Sequence, residues 1–169
     1  NAGVVVGRRA VVSRFRYPER QREEAYFEDW FRSAGYDVVT LEPEFFFEGA
    51  GDLLGFSDCW FGGYRQRSDI RVFPLLSDVF AREIILLELV DGRFYHLDTC
   101  FCPLSGGELL YFPAAFDTDG QAVITERVPD GSRLVVPENE ALRFACNAVC
   151  VGKHVVLPAG CPETERLLQ

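Results

Sequence analysis

The chain has 169 residues, of which 48% are hydrophobic and 25% are charged, a composition that predicts one globular domain and excludes a disordered protein. Its net charge of −9 and pI near 4.7 argue against nucleic acid as a partner, because phosphate groups attract basic surfaces. The longest aliphatic run, IILL at 84–87, is far shorter than the roughly 18 to 20 residues of a membrane helix. We therefore expect a soluble, cytoplasmic protein with no membrane partner.

Six cysteines form no C-x-x-C pair and no zinc-finger spacing, so the sequence predicts neither a metal framework nor a redox motif. Buried free thiols in a reducing compartment are the expectation. The sequence begins at Asn1 inside a strand-like segment and has no methionine, which suggests that the natural N-terminus lies elsewhere.

Four segments are typical of two strands joined by a tight turn, and their first residues recur at intervals of 46 to 50 residues. A constant period of this size predicts an array in which each unit buries its apolar face against its neighbours. The four segments are 3–13, 51–63, 97–113 and 147–158.

Helical periodicity appears between these hairpins. Residues 18–35 predict a helix with Pro18 in its first turn and an apolar stripe, followed by a strand at 37–42. The stripe comprises Tyr26, Phe27, Trp30, Phe31 and Ala34.

The later units repeat this order. In the second, Ser68 is a candidate N-cap for a helix to Phe80 that Pro74 interrupts, with a strand at 83–89. The third has a helix near 117–127 and a strand at 133–137. The sequence thus predicts an α/β domain built of strand-strand-helix-strand units with approximate bounds 1–46, 47–94, 95–138 and 139–169.

The segment FYHLDTCFCPLSGG at 94–107 places His96, Asp98, Cys100 and Cys102 at every second position. If it were one strand, His96 and Cys102 would lie about 20 Å apart, too far to share a zinc ion. The simplest alternative is a core strand whose histidine bonds to the backbone and whose cysteines pack as small apolar groups.

The preceding unit offers a reason to prefer a site. FFFEGAGDLL puts Glu48 at a position that closely matches Tyr95 or His96 in the next unit, and units around an axis would bring a carboxylate and an imidazole together with Asp98. Two carboxylates suit a guanidinium, whose N–H groups form a planar fork. An imidazole there can protonate a leaving amine and then deprotonate water.

Four motifs then reveal a resemblance to a known family: FEGAGD at 47–52, RQRS at 65–68, YHLDTCFCPL at 95–104 and CNAVCVGKHVVLP at 146–158. They resemble the guanidino-modifying enzymes of the pentein superfamily, namely dimethylarginine dimethylaminohydrolases, arginine deiminases, arginine dihydrolases and amidinotransferases. The resemblance covers the whole chain. It implies an α/β-propeller of five units around a pseudo-fivefold axis, of which about three and a half are present here.

The resemblance also implies residue roles. Glu48 and His96 match the family's catalytic acidic residue and general acid/base, and Asp98 matches a guanidinium-binding carboxylate. Arg67 matches an arginine that binds the substrate's carboxylate. Asn1, in the sequence NAG, stands where many members carry a guanidinium-binding aspartate, and it favours the dihydrolase or dimethylargininase branch.

Simpler interpretations remain open for several charged residues. Arg65, Arg67 and Arg71 lie close together, and any of them can be a solvated charge. Glu48 can be a turn residue, and Asp98 can merely orient the end of its strand. Asp52 is expected to be structural, a turn carboxylate that accepts backbone N–H groups.

No cysteine of this chain matches the family's nucleophile, which we expect beyond Gln169, near position 195 by the observed period. Cys161 precedes a predicted helix, where the helix dipole would lower a thiol pKa. Because Pro162 follows it, a role in capping the helix is the preferred interpretation.

Together these features predict a cofactor-free, metal-free, cysteine-dependent hydrolase. It would cleave the guanidinium C–N bonds of arginine or methylated arginine through a covalent thiouronium intermediate. A small guanidino compound is the expected partner, and a homo-oligomer is left open. The alternatives are an amidinotransferase and a non-catalytic binding protein of the same fold, such as a ribosome-associated initiation factor.

Overall fold

The computed structural model describes residues 1–169, and its first sheet has the order β1-β2-β3. Strands β1 (Gly3–Val6) and β2 (Arg9–Val12) form an antiparallel hairpin. Helices α1 (Pro18–Gln21) and α2 (Glu23–Ser33) then return the chain to β3 (Asp37–Val39), which pairs in parallel with β2. The hairpin and the parallel third strand define the pattern that the next two sheets also follow.

The second sheet contains β4 (Leu53–Phe56), β5 (Cys59–Tyr64) and β6 (Ile84–Glu88), with α3 (Val72–Phe80) between β5 and β6. Here too β4 and β5 are antiparallel, and β6 runs parallel to β5.

The third sheet contains β7 (Phe101–Pro103), β8 (Leu109–Tyr111) and β9 (Arg133–Val135), with α4 (Thr118–Arg127) as the crossover. The pairings are again antiparallel and then parallel. Asp117 caps α4 by accepting a hydrogen bond from the Gly120 N–H at 2.9 Å.

The last part of the chain comprises α5 (Glu138–Ala141), a hairpin of β10 (Val149–Val151) and β11 (His154–Val156), and α6 (Pro162–Leu167). All four predicted hairpins are therefore present, and the predicted α/β class is confirmed. None of the six helices is both long and hydrophobic enough to cross a bilayer.

Two hydrophobic clusters hold the sheets together. The larger joins the second and third sheets and the C-terminal part of the chain, with Phe61 and Phe101 in ring contact at 4.9 Å. The smaller joins Val11 of the first sheet to Phe47, which precedes the second sheet, and to Phe73 of α3. Short 3₁₀ turns at Gly49–Gly51 and Leu97–Thr99 precede β4 and β7, and these turns contact each other. Corresponding ends of neighbouring sheets therefore meet at one place.

The predicted apolar stripe on residues 18–35 is largely wrong. The segment forms two helices, and of the stripe only Phe31 is buried, whereas Tyr26 is 76% and Trp30 59% exposed. Trp30 instead stacks against Tyr36 on the surface, with ring centroids 6.4 Å apart. The small first sheet buries only one row of helix side chains, which leaves these aromatic residues outside.

The predicted N-cap at Ser68 is also wrong, because α3 begins at Val72 and is preceded by Arg71. Pro74 does not interrupt the helix. It lies in the first turn, where backbone N–H groups have no intrahelical acceptor and the missing proton of proline does no harm.

The interpretation of residues 96–102 as one strand needs correction. Residues Leu97–Thr99 form a 3₁₀ turn, and β7 begins only at Phe101. The backbone N–H of Thr99 bonds to the His96 carbonyl at 3.1 Å, which closes the turn. His96 and Asp98 therefore do not share one face of a strand. No group of three or more His, Cys, Asp or Glu side chains is arranged to hold a metal ion.

Candidate active site

Two equivalent turns position the candidate catalytic residues. Glu48 directly precedes the turn Gly49–Gly51, and His96 directly precedes the turn Leu97–Thr99. Both side chains are buried, with 0% exposure for Glu48 and 5% for His96. Contact between the two turns brings together residues that are 48 positions apart in sequence.

The turn after Glu48 depends on glycine. Gly49 has φ of +68°, and a Cβ there would lie 2.6 Å from Ser13 Oγ and 3.0 Å from the Gly3 carbonyl oxygen. The backbone thus packs directly against the first sheet.

His96 lies between two carboxylates. Its Nε2 is 3.4 Å from Glu48 Oε2, and its Nδ1 is 3.1 Å from Asp52 Oδ2. A carboxylate oxygen thus lies beside each ring nitrogen, within hydrogen-bond distance at Nδ1, and the positively charged form of the ring is compensated on both sides. This arrangement suits a group that gains and loses a proton in a reaction.

Arg67 compensates the charge of the buried Glu48. Its Nη1 donates to Glu48 Oε2 at 3.2 Å, while Glu48 Oε1 accepts from the Arg16 N–H at 3.2 Å. The guanidinium carbon lies 4.6 Å from the Tyr17 ring centroid and 5.0 Å from that of Tyr95. Two aromatic faces therefore hold the cation against Glu48.

The neighbouring arginines do not reach the site. Arg65 pairs with Glu88 at 2.6 Å, and Arg71 pairs with Asp69 at 2.5 Å, both with more than half of the arginine side chain exposed. Of the three arginines considered from sequence, only Arg67 contacts a candidate catalytic residue.

Asp98 lies in the turn after His96 and is partly buried. Burial raises the pKa of its carboxyl to about 6; the positive charge of His96 opposes this rise, and the negative charge of Asp52 adds to it. No hydrogen bond joins the Asp98 carboxylate to His96 or to Glu48. Asp98 therefore interacts electrostatically with His96 and Asp52 but is not hydrogen-bonded to His96 or Glu48.

Asn1 packs on the same turn as Glu48. Its backbone carbonyl accepts from Ser13 Oγ at 2.8 Å, and its amide lies so close to Gly51 that a Cβ there would be 2.3 Å from Asn1 Nδ2. The structure thus places Asn1 beside the cluster, with its side chain against backbone rather than against Glu48 or His96.

The sequence analysis missed part of the cluster. Asp52 does accept a backbone N–H, that of Leu97 at 3.0 Å, as expected, but it also contacts His96 and accepts from Ser68 Oγ at 2.6 Å. Tyr17 and Tyr95 were not identified at all. The only sequence signal for Asp52, Ser68 and Tyr95 was that each stands in the same motif as an assigned residue.

Burial makes five of the six cysteines poor nucleophiles. All are free, and burial raises the thiol pKa of Cys59, Cys100, Cys146 and Cys161, and that of Cys102 to about 12. Cys161 is buried at the N-cap position of α6, in the cap region as expected, but its side chain makes no capping hydrogen bond.

Comparison with known proteins gives relatives over almost the whole chain, although no family model matches it. A bifunctional arginine dihydrolase/ornithine cyclodeaminase of Synechocystis, ArgZ, is 47% identical over 159 residues, which are 93% of this chain and 23% of that protein. The N(G),N(G)-dimethylarginine dimethylaminohydrolase of Mycobacterium tuberculosis is 40% identical over 158 residues, which are 94% of this chain and 51% of that protein.

Solved structures agree with these relatives. The substrate-bound N-terminal domain of ArgZ superposes with a TM-score of 0.96 at 44% identity, covering 99% of this chain and 63% of that one. This chain spans 23% and 51% of the lengths of the two curated relatives, so it corresponds to part of their guanidino-modifying domain. The chain's homologues over almost its whole length are thus arginine dihydrolases and a dimethylarginine dimethylaminohydrolase, members of the guanidino-modifying enzymes that its motifs resemble.

Proposed function

We propose that the protein containing this chain is a cysteine-dependent hydrolase that cleaves guanidinium C–N bonds of arginine or N-methylated arginine. The observation that carries the proposal is the buried His96 between the carboxylates of Glu48 and Asp52, with Asp98 coupled to the same cluster. The names of the relatives, an arginine dihydrolase and a dimethylarginine dimethylaminohydrolase, support the same substrate class.

Substrate binding in this proposal is electrostatic. Ionised Asp98 and Glu48 accept hydrogen bonds from the planar guanidinium and keep its positive charge on the nitrogens, which leaves the central carbon electrophilic. Arg67 uses one N–H for Glu48 and offers its remaining donors to the substrate's carboxylate. The Asn1 amide, which carries no charge, lies where it can add a hydrogen bond beside Glu48.

The reaction then proceeds in two steps. A cysteine thiolate from outside this segment forms a C–S bond to the guanidino carbon, and the C–N bond breaks as doubly protonated His96 gives its Nε2 proton to the departing amine. Water next attacks the thiouronium carbon, gives one proton to the same nitrogen and its second to solvent, and the C–S bond breaks to release the neutral ureido product and the thiolate.

We extend the proposal to the architecture and location of the protein. Three sheets share one strand order and pairing pattern, and the fourth part of the chain starts with an equivalent hairpin. This supports four consecutive units with approximate bounds 1–46, 47–94, 95–138 and 139–169 in a pentein propeller. Six free thiols support a reducing, cytoplasmic location.

The full-length protein tests the proposal. Incubation with arginine and with asymmetric dimethylarginine should release citrulline or ornithine, with dimethylamine from the methylated substrate. Added glycine should leave these products unchanged, whereas formation of an amidinated glycine would identify an amidinotransferase. A full-length protein that processes no guanidino compound would contradict the proposal and favour a non-catalytic binding role.

A further inference from the structure

We propose that Asp52 and Ser68 act together as positioning residues that fix the tautomer and orientation of His96, so that Nε2 is the nitrogen that exchanges protons. The kinetic consequences of this proposal rest on the proposed function. The structural claim, the tautomer and orientation of the His96 ring, is independent of the proposed function.

Asp52 is the centre of a closed hydrogen-bond network. Its carboxylate is 1% exposed, and three polar groups lie within hydrogen-bond distance: the Ser68 hydroxyl at 2.6 Å, His96 Nδ1 at 3.1 Å and the Leu97 N–H at 3.0 Å. Residues from two other motifs therefore converge on its two oxygens. Such a buried, fully satisfied carboxylate holds its partners in one geometry.

Ser68 determines which groups in this network donate hydrogen bonds and which accept them. Its oxygen accepts the Glu48 N–H at 3.0 Å, and its own proton points to Asp52 Oδ2, the same oxygen that faces His96. Asp52 therefore stays an acceptor, and a hydrogen bond with His96 requires the proton on Nδ1. Neutral His96 then has its lone pair on Nε2, on the side of Glu48.

This placement is what the proposed reaction needs. Nε2 takes a proton from water and gives one to a leaving amine, while Nδ1–H stays on Asp52 throughout. Ser68 links the network to the backbone of Glu48, so the same hydroxyl supports both candidate catalytic residues. The alternative is that Asp52 only stabilises the turn after His96 through the Leu97 N–H.

The test uses ¹⁵N-histidine-labelled full-length protein and its kinetics. In the wild type, the ring nitrogen shifts of neutral His96, assigned with His96→Gln, should show the Nδ1–H form. Asp52→Asn offers an N–H to Nδ1 and should convert the ring to the Nε2–H form. It should lower kcat about 100-fold or more while KM changes less than about 3-fold, because general acid–base catalysis typically contributes 10²- to 10⁴-fold.

Two further variants separate positioning from stability. Ser68→Ala should reduce kcat and change its pH profile, and Ser68→Thr, which keeps the hydroxyl, should restore both. The charge around His96 also depends on Glu48, Asp98 and Arg67. The pH profile of each Ser68 variant is therefore compared with that of Asp58→Asn, an exposed control that we expect to match the wild type. A purely structural role would lower stability without moving the tautomer or the pH profile.

An Nε2–H wild-type ring, or an Asp52→Asn variant with unchanged tautomer and pH profile, would overturn the proposal. If Asp52→Asn fails to fold, the wild-type tautomer and the comparison of Ser68→Ala with Ser68→Thr still test whether the network positions His96. A wild-type protein without activity but with the Nδ1–H ring would support the positioning network and reject the proposed function.

Discussion

At the scale of single residues, the site concentrates ionisable groups that a structural core would avoid. Glu48 and Asp52 are both buried, and each is compensated: Glu48 by Arg67, and Asp52 by Ser68, His96 and a backbone N–H. Asp98 has no such partner in the cluster, and its carboxyl pKa rises accordingly. Groups held in this way are frequent at functional sites.

Asp98→Asn should stabilise the protein at neutral pH. Because burial raises the pKa of the Asp98 carboxyl to about 6, folding favours its protonated form, and stability is lost as pH rises from about 4 through 6. A rise of about 2 units corresponds to at most about 3 kcal/mol. Urea unfolding at pH 4 and pH 7 should show the gain only at pH 7, together with weaker substrate binding.

The exposed Asp29, which forms no ion pair, provides the matched control for this measurement. Asp29→Asn should leave the free energy of unfolding within about 0.5 kcal/mol at both pH values. A loss of stability in Asp98→Asn at pH 7 would show that the Asp98 carboxylate is stabilised by contacts that outweigh its burial.

Arg67→Ala should destabilise the protein and weaken substrate binding, because it leaves the Glu48 carboxylate buried without its guanidinium partner. Breaking a buried pair costs about 3–5 kcal/mol, and we expect about 2 kcal/mol here because the Arg67 side chain is 23% exposed. Arg65→Ala, which removes a surface pair with Glu88, should cost less than about 1 kcal/mol. Equal effects of the two substitutions on urea unfolding would contradict the assigned role of Arg67.

The sequence motifs named the candidate residues of this site but not the residues that contact and support them, for a physical reason. Glu48, His96, Asp98, Arg67 and Asn1 stand in recognisable motifs. The contact of Asp52 with His96 joins residues 44 positions apart and exists only because two turns pack together. Neither periodicity nor spacing encodes which carboxylate oxygen faces which ring nitrogen.

At the scale of elements, patterns with strong local causes were predicted well. The four hairpins are where two apolar runs flank a tight turn, and α4 lies near 117–127, between the hairpin and the third strand, as predicted. The errors arose where tertiary contacts override local preference. Thr99 sits in a 3₁₀ turn that packs on the neighbouring turn, and Trp30 stays exposed because no sheet surface reaches it.

Gly49→Ala tests whether the turn after Glu48 needs glycine for its close packing. Any L-residue at φ of +68° is strained by about 1 kcal/mol, and Ala would in addition place its Cβ 2.6 Å from Ser13 Oγ. Gly7→Ala is a matched control, since Gly7 has φ of +59° with no atom within 4 Å of the added Cβ. We expect Gly49→Ala to be the more destabilising by at least about 1 kcal/mol and to lower kcat, as measured by urea unfolding and turnover. Equal stability losses in the two variants would show that Ser13 can move away from the added Cβ at little energetic cost.

At the scale of the whole molecule, equivalent ends of successive sheets supply different chemistry to one place. Segments beside the first sheet contribute Asn1 and Tyr17, those beside the second contribute Glu48, Asp52 and Arg67, and those beside the third contribute Tyr95 and His96. The constant interval between hairpins predicted this convergence. It could not predict the distances, because these depend on how the hydrophobic clusters set one sheet against the next.

The proposed reaction requires a nucleophilic cysteine, and chemical labelling of the full-length protein can identify which cysteine it is. The thiolate is the reactive form of cysteine, and burial raises the thiol pKa of five of the six cysteines here. Chloroacetamidine, a planar cationic alkylating reagent, should inactivate the protein by modifying a cysteine outside residues 1–169, as peptide mass spectrometry can show. Partly exposed Cys150 provides an internal control, because neutral iodoacetamide should modify it slowly without loss of activity. Inactivation in proportion to modification of Cys100, whose sulfur lies 4.0 Å from the His96 carbonyl oxygen, would instead place the nucleophile inside this segment.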